Sequence, residues 1–396
     1  MSLDLHSVPQ VPDLDSPAFA DLLARLSDEF AVSAAEHDRQ GSFPHANLRR
    51  LHEHGLLALT VPRRLGGGDA TLAQARRVIA AVARGEPSTA LVLVMQYLQH
   101  ARLQQNQAWP EHLRLRLARE AVTDGALVNA LRVEPELGTP ARGGLPGTVA
   151  RRVAEGWRIS GRKIYSTGIP GLTWLAVWAR SDEAEPRVGT WLVHRDTPGI
   201  RIEETWDHLG MRATCSHDVI FDDVLVPAEQ AVDVLPAHQP RPSELDHNGV
   251  LWLAVLLSSI YDGIARAARD WLVGWLAGRT PANLGAPLSS LPRFQELVGR
   301  IDALLLSNRV LLDAAAEGRI PASEATQVKY LVTTQAISAV ELGVEAIGNP
   351  ALARGNPLER HYRDVLCSRI HTPQNDAVLG AAGRAAFALP SRGGQA

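Results

Sequence analysis

Apolar residues recur at helical spacing through the first third of the chain. Leu22, Leu26 and Phe30 lie four positions apart, the interval that places side chains on one face of an α-helix. Glycine and proline interrupt the pattern between the runs, as they do at helix ends. The pattern predicts helices within 16–59, 73–84, 88–103 and 113–122.

Between residues 126 and 232 the pattern changes to short β-branched or aromatic runs bounded by Gly, Pro or Asp. Such runs are typical of strands, and the stretch has about 100 residues, a common domain size. The predicted strands are 148–153, 157–159, 174–179, 189–193 and 219–226.

Long helical patterns return after a proline-rich joint at 236–242. Four long amphipathic helices joined by short loops indicate a helical bundle. We therefore predict an α+β protein with an N-terminal all-α domain (1–123), a middle β-barrel-like domain (124–235) and a C-terminal four-helix bundle (236–396). The helices predicted there are 250–276, 290–315, 323–347 and 357–369, with a fifth candidate at 375–387.

Charge and composition narrow the function classes. The 396 residues include 40 Lys and Arg against 43 Asp and Glu, a net charge of −3, so no global basic field attracts nucleic acid or an anionic membrane. The longest apolar run is interrupted by two serines and an aspartate, and neither a membrane span nor a signal peptide is predicted. Cys215 and Cys367 lie far apart, which predicts no disulfide framework and no metal site and fits a cytoplasmic protein.

Several familiar catalytic motifs are missing from the sequence. The glycines at 66–68 are not followed by Lys-Ser/Thr, so they do not form a Walker loop. No G-x-G-x-x-G joins a strand to a helix, which excludes the usual nicotinamide site. Ser258 and Ser259 lie in an apolar helical run without a G-x-S-x-G elbow, so a serine triad is not predicted.

Three segments of the middle region carry more information. They are NALRVEPELGT (129–139), GRKIYSTG (161–168) and LGMRATCSHDVIFDDVLVP (209–227). Each alone is typical of a strand followed by a turn, but their order and spacing resemble the acyl-CoA dehydrogenase superfamily. That family carries E-P-x-x-G-S/T, then K-x-x-x-T, then L-G-x-R followed by F-x-D-V-x-V-P.

The resemblance extends over the whole chain. The segment 55–68 is similar to the family's G-L-x-x-x-x-x-P-x-x-x-G-G stretch, and PLERHYRD (357–364) is similar to its P-x-E-K-x-x-R-D helix. Arg279 stands where the family places an arginine that reaches the cofactor diphosphate of a neighbouring subunit. The resemblance therefore implies a homotetramer whose flavin sites are shared between subunits.

The resemblance implies FAD, with FMN as the alternative, bound between the β domain and the bundle. By position, Tyr165 would lie against the isoalloxazine, Thr167 would hydrogen-bond near N5, and Thr139 would stand near the pyrophosphate or the substrate entrance. A flavin needs such an apolar wall and a few fixed donors, while the redox chemistry belongs to the cofactor. The remaining residues assigned to the flavin site are Asn129, Val133 and Ser166.

The glutamate base of the acyl-CoA dehydrogenases is missing. In the family it lies eight residues after the Asp of the R-D pair, and counting from Asp364 gives Thr372; the alternative position on the first bundle helix falls near Ala254. The carboxylate must reach the acidic carbon, so another polar residue does not replace it. Val133 and Pro140 also replace a Ser/Thr and an Asp of the family's E-P motif, which weakens the expectation of acyl-CoA binding.

A different branch of the superfamily fits these departures. GRKIYSTG resembles the K-x-Y-S-T-G segment of the reduced-flavin-dependent monooxygenases, such as the dibenzothiophene monooxygenases and related sulfur- and nitrogen-oxidising enzymes. These carry histidines where this chain has His100 and His371, and a histidine donates or transfers a proton near neutral pH without a carboxylate. We predict a monooxygenase acting on a small organic substrate, with a flavin reductase as a candidate partner. The catalytic candidates are His371, His100 and Ser166.

Two alternatives stay open. The first is an acyl-CoA dehydrogenase with an unrecognised base; Glu244, Asp246 and Glu345 are acids, but none lies at the usual position. The second is a catalytically silent flavin-binding homologue. The sequence fixes neither the substrate nor the choice between FAD and FMN.

Overall fold

The computed structural model describes residues 9, 11–105, 109–137, 144–239 and 247–388. The chain divides into two compact units, Met1–Gly249 and Val250–Ala396. The N-terminal helices and the sheet belong to the first unit, and nearly all of the bundle belongs to the second. The division between the predicted N-terminal and middle domains stays a prediction.

The N-terminal helices start and stop where local chemistry requires it. The side chain of Ser16 caps the first helix by accepting a hydrogen bond from the backbone N–H of Phe19 at 3.2 Å, and Pro17 occupies the first helical position. Gly41, with φ of 62°, ends the same helix in the left-handed region. The helices are α1 (Pro17–Gln40), α2 (His45–Glu53), α3 (Leu72–Gly85), α4 (Pro87–Gln105) and α5 (Glu111–Thr123).

The middle of the chain forms one mixed sheet. Its strands are β1 (Leu127–Leu131), β2 (Val149–Val153), β3 (Gly156–Lys163), β4 (Leu172–Ser181), β5 (Arg187–His194), β6 (Ile200–Glu203), β7 (Asp218–Pro227) and β8 (Ala231–Pro236). The hydrogen-bonded order is β6-β7-β3-β2-β4-β5-β8, and β1 pairs in parallel with β4. Trp157 of β3 and Trp191 of β5 pack edge to face in the core, with ring centroids 5.4 Å apart.

The five predicted strands are confirmed as β2, β3, β4, β5 and β7. Strand β1 overlaps the strand pattern at the start of the 129–139 segment, whereas β6 and β8 were not predicted. β6 has four residues, none of them fully buried, and only one residue of β8 is fully buried. Both therefore owe their conformation to pairing with β7 and β5 rather than to an apolar pattern of their own.

The C-terminal helices agree with the predicted pattern. The fourth helix ends at Leu366 rather than at 369, because a short 3₁₀ turn follows it. Among the described residues, one helix, at 248–278, is long and apolar enough to cross a membrane, but 67% of its most apolar window is buried inside the protein, as in a core helix. The helices are α6 (His247–Gly278), α7 (Pro292–Ala316), α8 (Ala325–Ile347), α9 (Pro357–Leu366) and α10 (Asn375–Ala388).

Candidate active site

A buried ion pair joins two of the three sequence motifs. The Lys163 ammonium, at the end of β3, lies 2.5 Å from a carboxylate oxygen of Glu134, and the two side chains are 0% and 3% exposed. Glu134 also accepts hydrogen bonds from the backbone N–H of Gly147 and from both the N–H and the hydroxyl of Thr148. Burial alone would raise the pKa of Glu134, but the bonds from Lys163 and Thr148 outweigh it and lower the pKa below its ordinary value. The E-P motif therefore anchors the strand that leads into the Tyr-Ser-Thr segment.

Tyr165 follows this anchor in a strained conformation. Its φ is +56°, a region that non-glycine residues rarely adopt and that is common at functional sites. The side chain is 52% exposed, and its ring meets those of Trp206 and His208 edge to face at 6.2 and 5.8 Å. Trp206 and His208 themselves stack at 3.6 Å. The turn therefore presents an aromatic surface instead of burying it.

The hydroxyl groups of Ser166 and Thr167 lie beside this surface. Asn129, on β1, donates from its amide to the carbonyl of Thr167 at 3.1 Å, which fixes the turn against the sheet. Ser216 donates its hydroxyl to that of Thr167 at 3.2 Å, so the Thr167 proton is left to donate elsewhere. The hydroxyl of Ser166 is buried without a hydrogen-bond partner in the described part of the chain.

Val133 is also brought to this segment, because its carbonyl accepts the backbone N–H of Ile164 at 3.0 Å. The structure thus gathers Asn129, Val133 and the 165–167 turn in one place. Thr139 lies outside the described residues. Trp206, His208 and Ser216 were not singled out from the sequence.

His100 lies on α4, next to the start of β1. Its side chain is 1% exposed, and burial lowers its pKa to about 4, so the ring is neutral at pH 7. The Gln96 amide oxygen accepts the N–H of Val128, which turns the amide nitrogen toward the His100 Nε2 at 3.1 Å. Nε2 is then the acceptor, and the proton resides on Nδ1. That Nδ1 is buried and has no partner among the described residues, so His100 carries an unpaired buried donor.

His371 lies in the second unit, after α9. The hydroxyl of Tyr261 on α6 lies 2.7 Å from its Nδ1. Burial, and after it the charge of Lys329, lowers the pKa of His371 to about 4, so this ring is neutral as well. The buried ammonium of Lys329 donates to the carbonyls of Ser368, His371 and Pro373 at 2.9 to 3.2 Å. The phenol thus contacts the ring, and the ammonium fixes the backbone.

The remaining candidate positions for a base and for cofactor binding lie as follows. Thr372 is exposed beside His371, and Ala254 is fully buried on α6. Arg279 is exposed just after α6, and within the described ranges its side chain makes no hydrogen bond or ion pair. Glu345 is exposed on α8, and Glu244 and Asp246 lie outside the described residues. No cluster of three or more metal-ligating side chains occurs in the described ranges.

The Tyr-Ser-Thr turn fits a flavin. An exposed aromatic ring, an orphaned buried hydroxyl and a threonine hydroxyl with a free proton are the wall and donors that an isoalloxazine requires. Together with the helical, sheet and helical architecture, this turn defines a protein of the flavoenzyme class.

Comparison with known proteins specifies the class. Models of three acyl-CoA dehydrogenase domains match the chain: the N-terminal domain at 17–109, the middle domain at 132–224 and the C-terminal domain at 255–375. The chain is 35% identical over 364 residues to putative acyl-CoA dehydrogenase YdbM of Bacillus subtilis, with 90% of this chain and 93% of that one covered. It is 31% identical over 395 residues to L-evernosamine nitrososynthase of a Micromonospora strain, with 92% and 89% covered.

A solved structure of KijD3 in complex with FMN and dTDP-3-amino-2,3,6-trideoxy-4-keto-3-methyl-D-glucose is 28% identical, with a TM-score of 0.80 over 98% of this chain and 97% of that one. The chain belongs to the acyl-CoA dehydrogenase superfamily. It is a flavin-dependent oxidoreductase, as the resemblance implied.

Proposed function

We propose that the protein is a reduced-flavin-dependent monooxygenase whose substrate is a small organic molecule with an oxidisable nitrogen. The observation that carries the proposal is His371, a neutral imidazole bonded to a phenol, next to the position where a dehydrogenase of this superfamily carries its glutamate. Such a ring donates a hydrogen bond through its N–H but is too weak a base to remove a proton from the α carbon of a thioester.

We propose nitrogen as the atom that is oxidised because of two similar proteins. The nitrososynthase is 31% identical over most of both chains, and KijD3 was crystallised with an amino sugar nucleotide. We extend that chemistry to this chain as the class of substrate, an amine on a small polar scaffold.

A bound reduced flavin supplies the electrons that activate O₂. The residues of this chain would hold and cover it. Tyr165 would provide the aromatic wall, the hydroxyls of Ser166 and Thr167 would donate to polar ring atoms, and Asn129 keeps the turn in place. We propose FAD, because Arg279 stands at the position of a diphosphate-binding arginine, with FMN as the alternative that the KijD3 complex supports.

A dehydrogenase is the second candidate, and YdbM, at 35% identity, favours it. Thr372 and Ala254 at the two base positions oppose it, because neither side chain takes up an α proton. A flavin-binding protein without activity is the third. We also propose a homotetramer in the cytoplasm, supplied by a flavin reductase.

Two assays distinguish the candidates. Under an ¹⁸O₂ atmosphere, reduced FMN or FAD is supplied with a dTDP-3-amino sugar and with dibenzothiophene, and incorporation of ¹⁸O into the products is measured. Without oxygen, bleaching of bound FAD by butyryl-, octanoyl- and branched-chain acyl-CoA is followed. We expect ¹⁸O in the amine product and no bleaching.

The variant His371→Ala should lower oxygenation roughly 10²-fold or more, the usual contribution of a positioned hydrogen-bond donor, with flavin affinity nearly unchanged. Rapid anaerobic bleaching that persists in His371→Ala would instead make the protein a dehydrogenase. Absence of both reactions with flavin bound would favour the inactive homologue.

A further inference from the structure

The contact between Tyr261 and His371 determines which ring nitrogen carries the proton. The two residues lie 110 positions apart, on α6 and after α9, and the contact of 2.7 Å is short enough for an O–H···N hydrogen bond. Two arrangements are compatible with this distance. Either the phenol donates to Nδ1, or a protonated Nδ1 donates to the phenol oxygen.

Burial decides between them. Tyr261 is 0% exposed, and burial raises its pKa well above the ordinary value, so the phenol keeps its proton. Its only hydrogen bond to the described residues is the one to His371. If Nδ1–H donated to the oxygen, the phenol proton would be buried without an acceptor, an arrangement that is strongly disfavoured. The phenol therefore donates to Nδ1.

We infer that Tyr261 is a positioning residue that keeps His371 in the tautomer protonated at Nε2, so that the histidine acts as a hydrogen-bond donor rather than as a base. Nε2 is the nitrogen that points away from the phenol, and no described residue bonds to it. The three carbonyls held by Lys329, one of which belongs to His371 itself, fix the backbone from which the ring extends. The chemical value of this donor rests on the proposed monooxygenase function, whereas the tautomer itself does not.

The tautomer is measurable on the protein without flavin. Histidine labelled with ¹⁵N distinguishes a protonated from a bare ring nitrogen through its chemical shift and its two-bond couplings to the ring protons, and His371→Gln assigns the signal. We expect Nε2 protonated and Nδ1 bare with the shift of a hydrogen-bond acceptor. In Tyr261→Phe, Nδ1 should move to the shift of an unbonded nitrogen. A protonated Nδ1 in the native protein, or an Nδ1 shift that Tyr261→Phe leaves in place, would overturn the inference.

Turnover provides the second measurement. With reduced FMN and the dTDP-3-amino sugar as probe, Tyr261→Phe should lower kcat about tenfold, the factor that one ordinary hydrogen bond supplies, while KM stays unchanged. Tyr97→Phe is the matched control, because Tyr97 is equally buried and donates its hydroxyl to the carbonyl of Leu56 at 2.8 Å. An equal fall of kcat in both variants, or none in Tyr261→Phe, would refute the positioning role. A native protein that oxygenates no amine but shows the expected ¹⁵N signals would refute the proposed function and leave the tautomer assignment intact.

Discussion

Removal of the Lys163 ammonium should destabilise β3, the strand that leads into the Tyr-Ser-Thr turn. In Lys163→Met the Glu134 carboxylate, 3% exposed, stays in the protein with only neutral donors from Gly147 and Thr148. Leaving one member of a buried ion pair without its partner costs about 3–5 kcal/mol, far more than loss of a surface pair.

Hydrogen exchange detects this change where it occurs. Because the chain has two compact units, unfolding is not expected to be one transition, and a local measurement is required. At 1.36 kcal/mol per factor of ten, a cost of about 3–5 kcal/mol predicts a loss of protection of about 10²- to 10⁴-fold in peptides covering 156–163.

The matched control lies on the same strand. Arg158 forms an exposed pair with Asp223 at 3.0 Å, so Arg158→Met should cost less than about 1 kcal/mol. The double variant Glu134→Gln/Lys163→Met should cost about 1–3 kcal/mol less than the sum of the single variants, since neither charge is then left alone. The reasoning is wrong if Lys163→Met exchanges no faster than Arg158→Met.

Three further predictions concern other parts of the molecule. Tyr165→Ala should weaken flavin binding by roughly tenfold, through loss of a stacking surface, without changing the hydrogen exchange of β3 in the protein measured without flavin. Lys329→Met should leave the carbonyls at 368, 371 and 373 without their donor, so the backbone amides of this turn should exchange faster. Lys329→Arg should restore part of the protection of these amides. Burial lowers the pKa of His100 to about 4 and, together with the charge of Arg360, that of His361 to about 3, so the unfolded chain takes up protons first as the pH falls. The unfolding free energy of the unit that contains each histidine should therefore be highest above pH 6.5 and fall toward pH 4 by about 3 kcal/mol. Protection of the α4 amides against hydrogen exchange should fall less on acidification in His100→Gln.

The sequence predicted the elements that carry their own pattern. The five internal strands and the long helices have apolar spacing or motif residues of their own, whereas β6 and β8 are formed only by pairing with a neighbour. Glu134 and Lys163 each belong to a motif that the sequence shows. Their ion pair joins residues 29 positions apart, and a single sequence does not show which distant residues contact each other.

The residues of the candidate site also fall into those that a motif indicates and those that it does not. Tyr165, Thr167 and His371 were singled out as candidates because they occupy motif positions. Trp206, which meets the Tyr165 ring, and Tyr261, which bonds to His371, lie on segments without a motif and are brought in by tertiary structure alone. The groups that set the orientation or the protonation of a candidate side chain are therefore the ones that sequence reasoning misses.

The surroundings of His371 bear on how one fold can support either α-proton removal or oxygenation. A carboxylate at the base position must be charged to remove a proton, and so it requires access to water or a cationic partner. His371 has a cation, Lys329, near its backbone and a phenol on its ring, and both disfavour an additional positive charge on the imidazole. The surroundings of this position thus stabilise a neutral donor. Thr372→Glu alone supplies the missing carboxylate, but Val133 and Pro140 still replace the Ser/Thr and the Asp of the family's E-P motif, so this variant should fail to produce an acyl-CoA dehydrogenase. Anaerobic bleaching of FAD by butyryl-CoA in Thr372→Glu would show that position 372 by itself determines the reaction.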